Sequence, residues 1–390
     1  MKKILYLRNF ASTVNRSSYN LQEIGLGKAF VKKGYDCDII YYSTDSLVKV
    51  EEIFNYNNNR LSIMWMKGIK FLSNSIYTSV LSKKFLEPYD LIITTEYNQL
   101  MTPLLTLLAP HKTVLYHGPY RDNNNKAVRT IYDMVFKSFL AKKIKTVYVK
   151  SDLAKQYLEN KGFQRVVTVG VGLDKLNFET EPSENIEISE LIAPLKNKKV
   201  LLYLGILEER RNVIFLLSIL KEVVKRDDKF RLLMIGDGQK EDTDRYWKYV
   251  EEHHLRDYII YLPKVKQSEV WQVYGAADIM VFPTTYDIFG MVLLESMHFQ
   301  VPIISSVNGG AVTVIKNGIN GVIVEASDER VWVERILDMH QDQVLLEKIK
   351  SESRKTIENL SWDEIADSFI QSLDDKTKEG VAVDKSTAYS

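Results

Sequence analysis

Two carboxylates eight residues apart are the strongest indication of a ligand-binding site in this chain. Asp287 lies two residues before the pair Phe289-Gly290, and Glu295 lies on the helix that the next apolar residues predict. A helix that begins near Phe289 presents its free N–H groups and its positive end to the preceding loop, which suits a diphosphate. Glu295, about two turns inside, can accept hydrogen bonds from sugar hydroxyls. The spacing therefore predicts a site for a ligand with diphosphate and sugar groups.

A series of loops after predicted strands extends this pattern. Gly205 ends one strand, and Arg211 follows six residues later, preceded by Arg210. A glycine lets the backbone approach a phosphate, and a cation one turn later can neutralise it. Gly236 ends the next strand, where a base or ribose could lie against the backbone, and main-chain groups near Val265 could read a base edge. Each loop alone is common in α/β proteins, so the specific signal is their joint order.

Apolar runs that resemble strands alternate with amphipathic helical stretches, which predicts α/β domains with parallel sheets. The predicted strands are Ile4–Leu7, Asp38–Tyr42, Leu91–Thr94, Thr113–Tyr116, Thr146–Val149, Val166–Val169, Val200–Leu204, Arg231–Ile235, Ile259–Leu262, Ile279–Phe282, Pro302–Ser305 and Gly321–Val324. Helices are expected at Leu21–Lys33, Val128–Leu140 and Leu153–Asn160, with Gly34 as a C-terminal cap. Two doubly wound halves of this kind bind ligands in the crevice at the carboxyl ends of their strands.

The chain of 390 residues is too long for one ordinary core, so two domains are expected. We predict a first domain over residues 1–180, an acidic linker with two prolines over 181–198 and a second domain over 199–360. Residues 361–373 would form a helix that crosses back to the first domain, and the polar segment 374–390 is expected to be a flexible tail.

The order of the loops resembles the donor-binding domain of retaining glycosyltransferase family 4. Asp287 and Glu295 match the E-x7-E signature of that family, with Asp in the first position. The resemblance covers most of Val200–Leu373, including Ser361-Trp362 before the last helix, and extends more weakly to the turn Val169–Asp174. It implies the GT-B fold, in which two Rossmann-like, doubly wound α/β domains face a cleft.

The resemblance also implies roles for the residues of the second half. Asp287 would meet hydroxyls of the donor sugar, and Glu295 would bind the nucleotide ribose. Main-chain N–H groups of Phe289, Gly290 and Met291 would meet the sugar and the phosphate. Arg211 takes the place of the family's phosphate-binding Lys, whereas the Arg expected after Gly205 is Ile206. One phosphate contact is therefore absent, unless Arg210 supplies it.

In the first half, His117 follows a predicted strand directly and precedes Gly118-Pro119. Members of the family often place a His there to contact the donor sugar, so His117 is a candidate catalytic residue, although a lone His is more often structural. The candidates on the acceptor side are Ser17, Ser18 and Asn20 in the loop after the first strand, and Glu96 after a later one.

Charge and composition bear on location and partners. Residues 1–150 hold 22 Lys and Arg against 11 Asp and Glu, and a basic half can attract an anionic membrane or a phosphorylated acceptor. Leu61–Phe85 and Lys126–Lys145 mix aromatic residues with lysines, as amphipathic helices at a bilayer interface do, although solvated core-facing helices read the same way. The single cysteine, Cys37, and the absence of an 18-residue apolar run favour a cytoplasmic protein, with the inner face of the membrane as one position. We see no recognised nucleic-acid module.

These observations predict a retaining glycosyltransferase, of hexosyl or N-acetylhexosaminyl type, that needs no metal. Its donor would be a nucleotide-diphosphate sugar, with a UDP-sugar preferred, and its acceptor a glycan or a lipid-linked or protein-linked group in cell-surface glycan synthesis. Two alternatives stay open. A pseudoenzyme with this fold would bind a sugar nucleotide or glycan and support a partner, and a nucleotide-sugar epimerase would convert the donor without an acceptor.

Overall fold

The computed structural model describes residues 2–14, 21–122, 125–174, 184–325 and 327–373. The chain forms two compact units. Among these described residues, the first unit comprises 2–172 together with 361–373, and the second comprises 173–360. Each unit is an α/β fold built around one large sheet. Within the described ranges no helix is both long enough and apolar enough to cross a membrane.

The first unit is built on an eight-stranded sheet of order β10-β9-β8-β7-β1-β2-β4-β3, and β5 pairs with β6 in a separate hairpin. The strands are β1 (Lys3–Leu7), β2 (Asp36–Ser43), β3 (Lys49–Tyr56), β4 (Asn59–Lys67), β5 (Ile69–Phe71), β6 (Asn74–Ile76), β7 (Leu91–Thr95), β8 (Thr113–His117), β9 (Val147–Val149) and β10 (Val166–Thr168). All neighbours in the large sheet are parallel except β3 and β4. Central strands such as β7 and β8 are buried along their whole length, as expected where helices cover both faces of a parallel sheet.

The helices of the first unit are α1 (Gln22–Lys32), α2 (Lys83–Leu86), α3 (Met101–Leu108), α4 (Lys126–Tyr132), α5 (Ser138–Lys143) and α6 (Asp152–Asn160). A π turn, Asp133–Lys137, joins α4 to α5 and makes them one helical stretch. Gly34 follows α1 with a φ of 87°, so it has the conformation of the predicted C-terminal cap.

Residues 362–373 are helical and pack on the first unit. The indole of Trp362 lies so close to Gly25 of α1 and to Gly172 that a Cβ at either position would overlap it. Farther along, the ring of Phe369 packs edge-on against Phe30 and Tyr116. The core of the first unit therefore includes side chains from the far end of the chain.

The second unit is built on a six-stranded, fully parallel sheet of order β13-β12-β11-β14-β15-β16. Numbered within the unit, this is 3-2-1-4-5-6, the strand order of a Rossmann domain. The strands are β11 (Lys199–Leu204), β12 (Phe230–Ile235), β13 (Ile259–Leu262), β14 (Ile279–Phe282), β15 (Ile303–Ser306) and β16 (Val322–Val324). The helices are α7 (Ile186–Ile192), α8 (Val213–Arg226), α9 (Lys240–Glu252), α10 (Val270–Gly275), α11 (Met291–His298), α12 (Gly309–Val314), α13 (Glu329–Gln341) and α14 (Gln343–Glu358).

Each of the twelve predicted strands has a counterpart, but the sequence missed β3 to β6. The expectation of an amphipathic helix over Leu61–Phe85 was wrong. This stretch begins in β4, a strand of the large sheet with Leu61 and Ile63 fully buried, and continues through the β5–β6 hairpin. Of the stretch Lys126–Lys145, residues 126–143 are helical, as expected. Of the segment predicted as a linker, residues 184–198 lie in the second unit and carry α7.

Candidate functional site

The candidate site of the second unit lies at the carboxyl edge of its sheet, where the strand order reverses between β11 and β14. Gly205 follows β11, and the loop that leads to Asp287 follows β14. Because neighbouring connections leave such a switch point toward opposite faces, a crevice forms there and binds ligands in doubly wound folds. The fold therefore brings the predicted glycine loop and the first predicted carboxylate to the same edge.

Arg211 and Asp287 form an ion pair at this edge. Nη1 of Arg211 donates to Oδ2 of Asp287, and both side chains are mostly buried. The guanidinium also lies 5.5 Å from the centre of the Phe282 ring, a distance at which a cation is attracted to an aromatic face. The neighbouring Arg210 instead donates to the carbonyl of Tyr286 at 2.9 Å and pairs with Glu208. Of the two arginines, Arg211 is thus the one that contacts Asp287, the residue predicted to bind the donor sugar.

The helix after Asp287 begins later than the sequence indicates. Gly290 is its N-terminal cap, with a φ of 75°, and α11 starts at Met291. The N–H of Phe289 donates to Oδ1 of Asp287 at 3.3 Å, so this predicted donor contacts the carboxylate. Glu295 consequently lies a little over one turn inside the helix, not two.

Glu295 is buried and held by two side chains. Its Oε1 accepts a hydrogen bond from Nε2 of Gln267 at 3.1 Å, and its Oε2 accepts one from the hydroxyl of Tyr274 at 3.0 Å. Burial raises the pKa of Glu295, and the two hydrogen bonds offset this effect only in part. Gln267 and Tyr274 were not predicted from the sequence, because no motif marks a residue that acts through another side chain.

Two glycines allow the loops of this edge to pack together. Gly236 has a φ of 144°, and a Cβ there would overlap the carbonyl of Gly205. A Cβ on Gly310 would overlap the carbonyl of Phe289. Gly236, which was predicted to lie beside a base or ribose, therefore has a second role, because it lets one loop approach the backbone of another.

In the first unit, His117 and Glu96 form a fully buried pair at the carboxyl ends of β8 and β7. Nδ1 of His117 lies 2.7 Å from Oε2 of Glu96, which also accepts the N–H of Gly118 at 3.0 Å. Burial raises the pKa of the Glu96 carboxyl, but the charge and hydrogen bonds of His117 and its neighbours outweigh burial and hold that pKa below its ordinary value. Nε2 of His117 is buried and has no hydrogen-bond partner among the described residues.

Aromatic rings that the sequence analysis missed surround His117. The ring of Tyr157 stacks on the imidazole with centroids 5.9 Å apart, and Tyr97 meets it edge-on at 5.5 Å. The hydroxyl of Tyr97 donates to Asp133 at 2.9 Å, and Lys161 pairs with the same carboxylate at 2.7 Å. A network of aromatic and charged groups thus fixes the position of the imidazole.

The remaining predicted residues are distributed as follows. Ser17, Ser18 and Asn20 lie outside the described residues. Val265 lies half-buried just after β13, and the side chain of Ile206 is 55% exposed beside Gly205. Over the described part of the chain, no group of three or more His, Cys, Asp and Glu residues is arranged to hold a metal ion.

Residues 185–356 match the model of the family described as glycosyl transferases group 1. The match covers α7 to α14 of the second unit, and so includes Arg211, Asp287 and Glu295. An uncharacterised glycosyltransferase from Methanocaldococcus jannaschii is 27% identical over 210 residues, which are 52% of this chain and 51% of that protein. A capsular polysaccharide biosynthesis glycosyltransferase from Staphylococcus aureus is 26% identical over 62% of each chain. The alignments thus span only half to three fifths of these curated relatives, and they support the prediction of a glycosyltransferase.

Solved structures match nearly the whole chain. HepE from Anabaena, in complex with UDP, superposes with a TM-score of 0.73 over 96% of this chain and all of that one, at 13% identity. Sucrose-phosphate synthase from Thermosynechococcus elongatus superposes with a TM-score of 0.69 over the full length of both chains, at 19% identity. At such identities the likeness concerns the fold, and it confirms the prediction of a two-domain, Rossmann-like GT-B protein.

Proposed function

We propose that this protein is a retaining glycosyltransferase that moves a sugar from a UDP-sugar to a hydroxyl group of an acceptor. The observation that carries the proposal is the meeting of Arg211 and Asp287 at the switch point of the second unit. A cation and a carboxylate side by side suit a ligand with a diphosphate next to sugar hydroxyls. The family match of the second unit and the UDP complex of HepE support the same donor class.

In the proposed reaction, Arg211 and the amino-terminal end of α11 stabilise the charge that develops on the departing diphosphate. Asp287 accepts hydrogen bonds from the donor sugar, and Glu295 accepts them from the ribose. The bond between the anomeric carbon and the diphosphate oxygen breaks, and the acceptor oxygen bonds to the same carbon on the same face. The acceptor proton passes to the leaving diphosphate, so no protein side chain has to act as a strong base.

His117 would contribute from the first unit. Its imidazole is fixed by Glu96, and its Nε2, which has no partner among the described residues, would accept or donate a hydrogen bond with a hydroxyl of the donor sugar. A buried carboxylate that orients a histidine limits the rotamers and tautomers that the ring samples. Glu96, which the sequence analysis placed on the acceptor side, is therefore proposed here as the positioning residue of His117.

We further propose that the acceptor belongs to cell-surface glycan synthesis and that the first unit contacts an anionic membrane. The Staphylococcus aureus relative is named for capsular polysaccharide biosynthesis. The stretch from α4 to α5 supports the membrane contact, since Ile131, Met134 and Val135 are 59%, 76% and 56% exposed there, among lysines.

The test is the binding and slow hydrolysis of UDP-, GDP-, ADP- and dTDP-sugars by the purified protein, beside the variant Asp287→Ala. We expect one donor class to bind and to be hydrolysed slowly, with hydrolysis lost in the variant. Unchanged turnover in both Glu295→Ala and Arg211→Ala would contradict the assignment of the site.

A second candidate function is a pseudoenzyme that binds a sugar nucleotide and supports a partner. The observation in its favour is Ile206, an exposed apolar side chain where the resemblance places a phosphate-binding arginine. Donor binding with neither hydrolysis nor transfer to any acceptor would support this function. Conversion of the donor without an acceptor would instead indicate an epimerase.

A further inference from the structure

The first unit contains a cavity of about 430 Å³ that none of the predicted roles uses. It lies between the β5–β6 hairpin, the loop after β7 and the first turns of α4. Its lining includes Phe71, Leu72, Leu100 and Val128. A concave site of this volume with mostly apolar walls is typical of a small-molecule site.

The mouth of the cavity is apolar at the surface. Phe71, Leu72 and Val128 are 55%, 60% and 44% exposed, and each also lines the cavity. Leu72 lies at the turn of the hairpin with a φ of 54°, a conformation that glycine or asparagine adopts at lower cost. An exposed leucine held in an unfavourable backbone conformation indicates that its apolar side chain is used there.

The inner wall carries polar atoms that need a donor. Oε1 of Gln99 and Oδ1 of Asn98 are buried and have no hydrogen-bond partner among the described residues. Gln99 is only 3% exposed, and both residues line the cavity. Leaving a buried acceptor unpaired is unfavourable, and a hydroxyl group of a ligand would satisfy either atom.

The same wall adjoins His117. Tyr97 and Tyr157 line the cavity, and the rings of both also contact the imidazole. A ligand whose hydroxyl reaches this wall is therefore separated from the proposed catalytic histidine by one layer of aromatic rings.

The charged groups that line the cavity are paired with neighbouring charges. Asp122 lines it and is paired with Arg129 at 2.7 Å and with Lys161 at 3.3 Å. Lys161 also pairs with Asp133, so the two positive and two negative charges of these four groups cancel. Lys70 on β5 and Lys126 at the start of α4 are exposed and adjoin the lining residues Phe71 and Asn125 in the chain. Such cations attract an anionic membrane surface, where a lipid-linked acceptor would lie.

We propose that this cavity binds an amphiphilic acceptor, in which a hydrocarbon chain lies against the apolar mouth and a sugar hydroxyl reaches Gln99 and Asn98. The inference rests on the proposed function and narrows it, because it selects a lipid-linked acceptor over a soluble or protein-linked one. The chain contributes affinity through burial of apolar surface, and the buried acceptors orient the head.

The experiment measures the binding of octyl β-glucoside to the full chain by calorimetry, below the concentration at which this detergent forms micelles. Glucose and 1-octanol serve as the separate head and chain. We expect octyl β-glucoside to bind at least about tenfold more tightly than either part, since each buried methylene adds to affinity. Equal binding of glucose and octyl β-glucoside would overturn the proposal, since the chain would then have no site.

Val128→Asp puts a charge at the mouth of the cavity and is expected to weaken the binding of octyl β-glucoside about tenfold or more. The matched control is Val50→Asp, because Val50 is 59% exposed on β3 of the same unit and does not line the cavity. Gln99→Leu is expected to weaken the binding of octyl β-glucoside about fivefold and to leave the affinity for 1-octanol unchanged. Wild-type affinity in Val128→Asp would place the detergent elsewhere and overturn the proposal.

UDP binding, measured on the same samples, separates the two proposals. UDP should bind the wild type and Val128→Asp equally, because Val128 lies in the other unit from Arg211. A wild type that binds octyl β-glucoside but no nucleotide would contradict the proposed function and leave the cavity as an amphiphile site. A wild type that binds UDP but no amphiphile would contradict this inference alone.

Discussion

Arg211 and Asp287 are 76 residues apart in the chain, yet the guanidinium of the first donates to the carboxylate of the second. The resemblance assigns them to different parts of one ligand, the diphosphate and the sugar. Since a guanidinium has a limited number of donors, a bound diphosphate would compete with Asp287 for Arg211. The two residues are therefore expected to be coupled in binding, and their separate substitution should have opposite effects on the two parts of the donor.

The variant Asp287→Asn tests this coupling. It removes the carboxylate charge but keeps a similar shape, so Arg211 is released toward the phosphates. We expect UDP to bind with unchanged or higher affinity, whereas the additional affinity that the sugar gives to a UDP-sugar is lost. Isothermal titration with UDP and with the UDP-sugar measures both quantities.

Arg211→Ala is the reciprocal variant. It should weaken the binding of UDP about ten- to a hundredfold, the range that corresponds to loss of a charge-assisted hydrogen bond. Arg226→Ala, at the exposed end of α8, is the control for loss of a positive charge and should leave UDP affinity unchanged. Equal losses of UDP affinity in Arg211→Ala and Asp287→Asn would be inconsistent with competition.

The buried Glu295 predicts a pH dependence of nucleotide binding. Its pKa is raised above the ordinary value of 4.5, so the carboxylate takes up a proton at a higher pH than an exposed glutamate does. As pH falls through this raised pKa, we expect UDP affinity to decline, because a protonated Glu295 accepts hydrogen bonds from the ribose less well. Tyr274→Phe removes a hydrogen bond that lowers this pKa and should move the decline to higher pH.

The same pKa predicts a pH dependence of stability. A carboxyl whose pKa is raised on folding contributes stability below the ordinary value and loses it as pH rises through the raised pKa. Glu295→Gln should therefore gain stability relative to the wild type as pH rises from 4.5 through the raised pKa, as followed by denaturant unfolding. Glu251→Gln, at an exposed position on α9, controls for loss of a carboxylate. A constant stability difference across this range would contradict a raised pKa.

The lowered pKa of Glu96 predicts that stability depends on pH in the opposite direction. Its pKa is lowered on folding, so its contribution to stability is present above the ordinary value of 4.5 and is lost as pH falls through the lowered pKa. Glu96→Gln should destabilise the first unit by about 1–3 kcal/mol at pH 7, since the buried His117 loses a charged partner. The difference between variant and wild type should shrink below pH 4.5, as measured by hydrogen exchange of amides in β7 and β8.

Activity distinguishes positioning by Glu96 from a merely structural role. If Glu96 orients His117, Glu96→Gln should lower kcat more than it raises KM, and the double variant with His117→Gln should lose little more than His117→Gln alone. Glu52→Gln, on the edge strand β3, is the control. Fully additive losses in the double variant would show that the two residues act independently.

The close approach of Gly310 to the carbonyl of Phe289 predicts that the second unit does not tolerate a larger residue at position 310. Gly310→Ala places a methyl group against the carbonyl of Phe289, so the loop that carries Asp287 has to move. We expect a loss of more than about 2 kcal/mol in stability, together with loss of UDP binding. Gly275→Ala is the matched control, because a Cβ at the end of α10 meets open space and should leave stability unchanged or slightly raised. Normal UDP affinity in Gly310→Ala would show that this approach is not needed for the site.

Strands and helices were predictable from the sequence wherever the local pattern of apolar residues determines the type of element. β11 and β14 are continuous apolar runs bounded by turns, and both were found close to their observed bounds. β4 was mistaken for helix because Met64, Trp65 and Met66 occur together with lysines, which fits either period. Its pairing with β2, which settles the matter, is a contact between distant residues.

The site was predictable in its residues but not in its contacts. Asp287, Glu295 and Arg211 follow from spacing, since each lies at a fixed distance from a strand end or a glycine. The pairing of Arg211 with Asp287, and the support of Glu295 by Tyr274, depend on the packing of whole elements. No local property of Tyr274 distinguishes it from other buried tyrosines.

The helical residues 362–373 have a consequence for synthesis of the chain. Trp362 fills the space left by Gly25 and Gly172, and Phe369 packs on Phe30 and Tyr116, so the first unit lacks part of its core until these residues leave the ribosome. The second unit, residues 173–360, is then already complete. Although domains commonly fold in the order of their synthesis, here the amino-terminal unit should reach its final stability last. The apolar surface that Trp362 and Phe369 cover would be exposed to chaperones in the meantime.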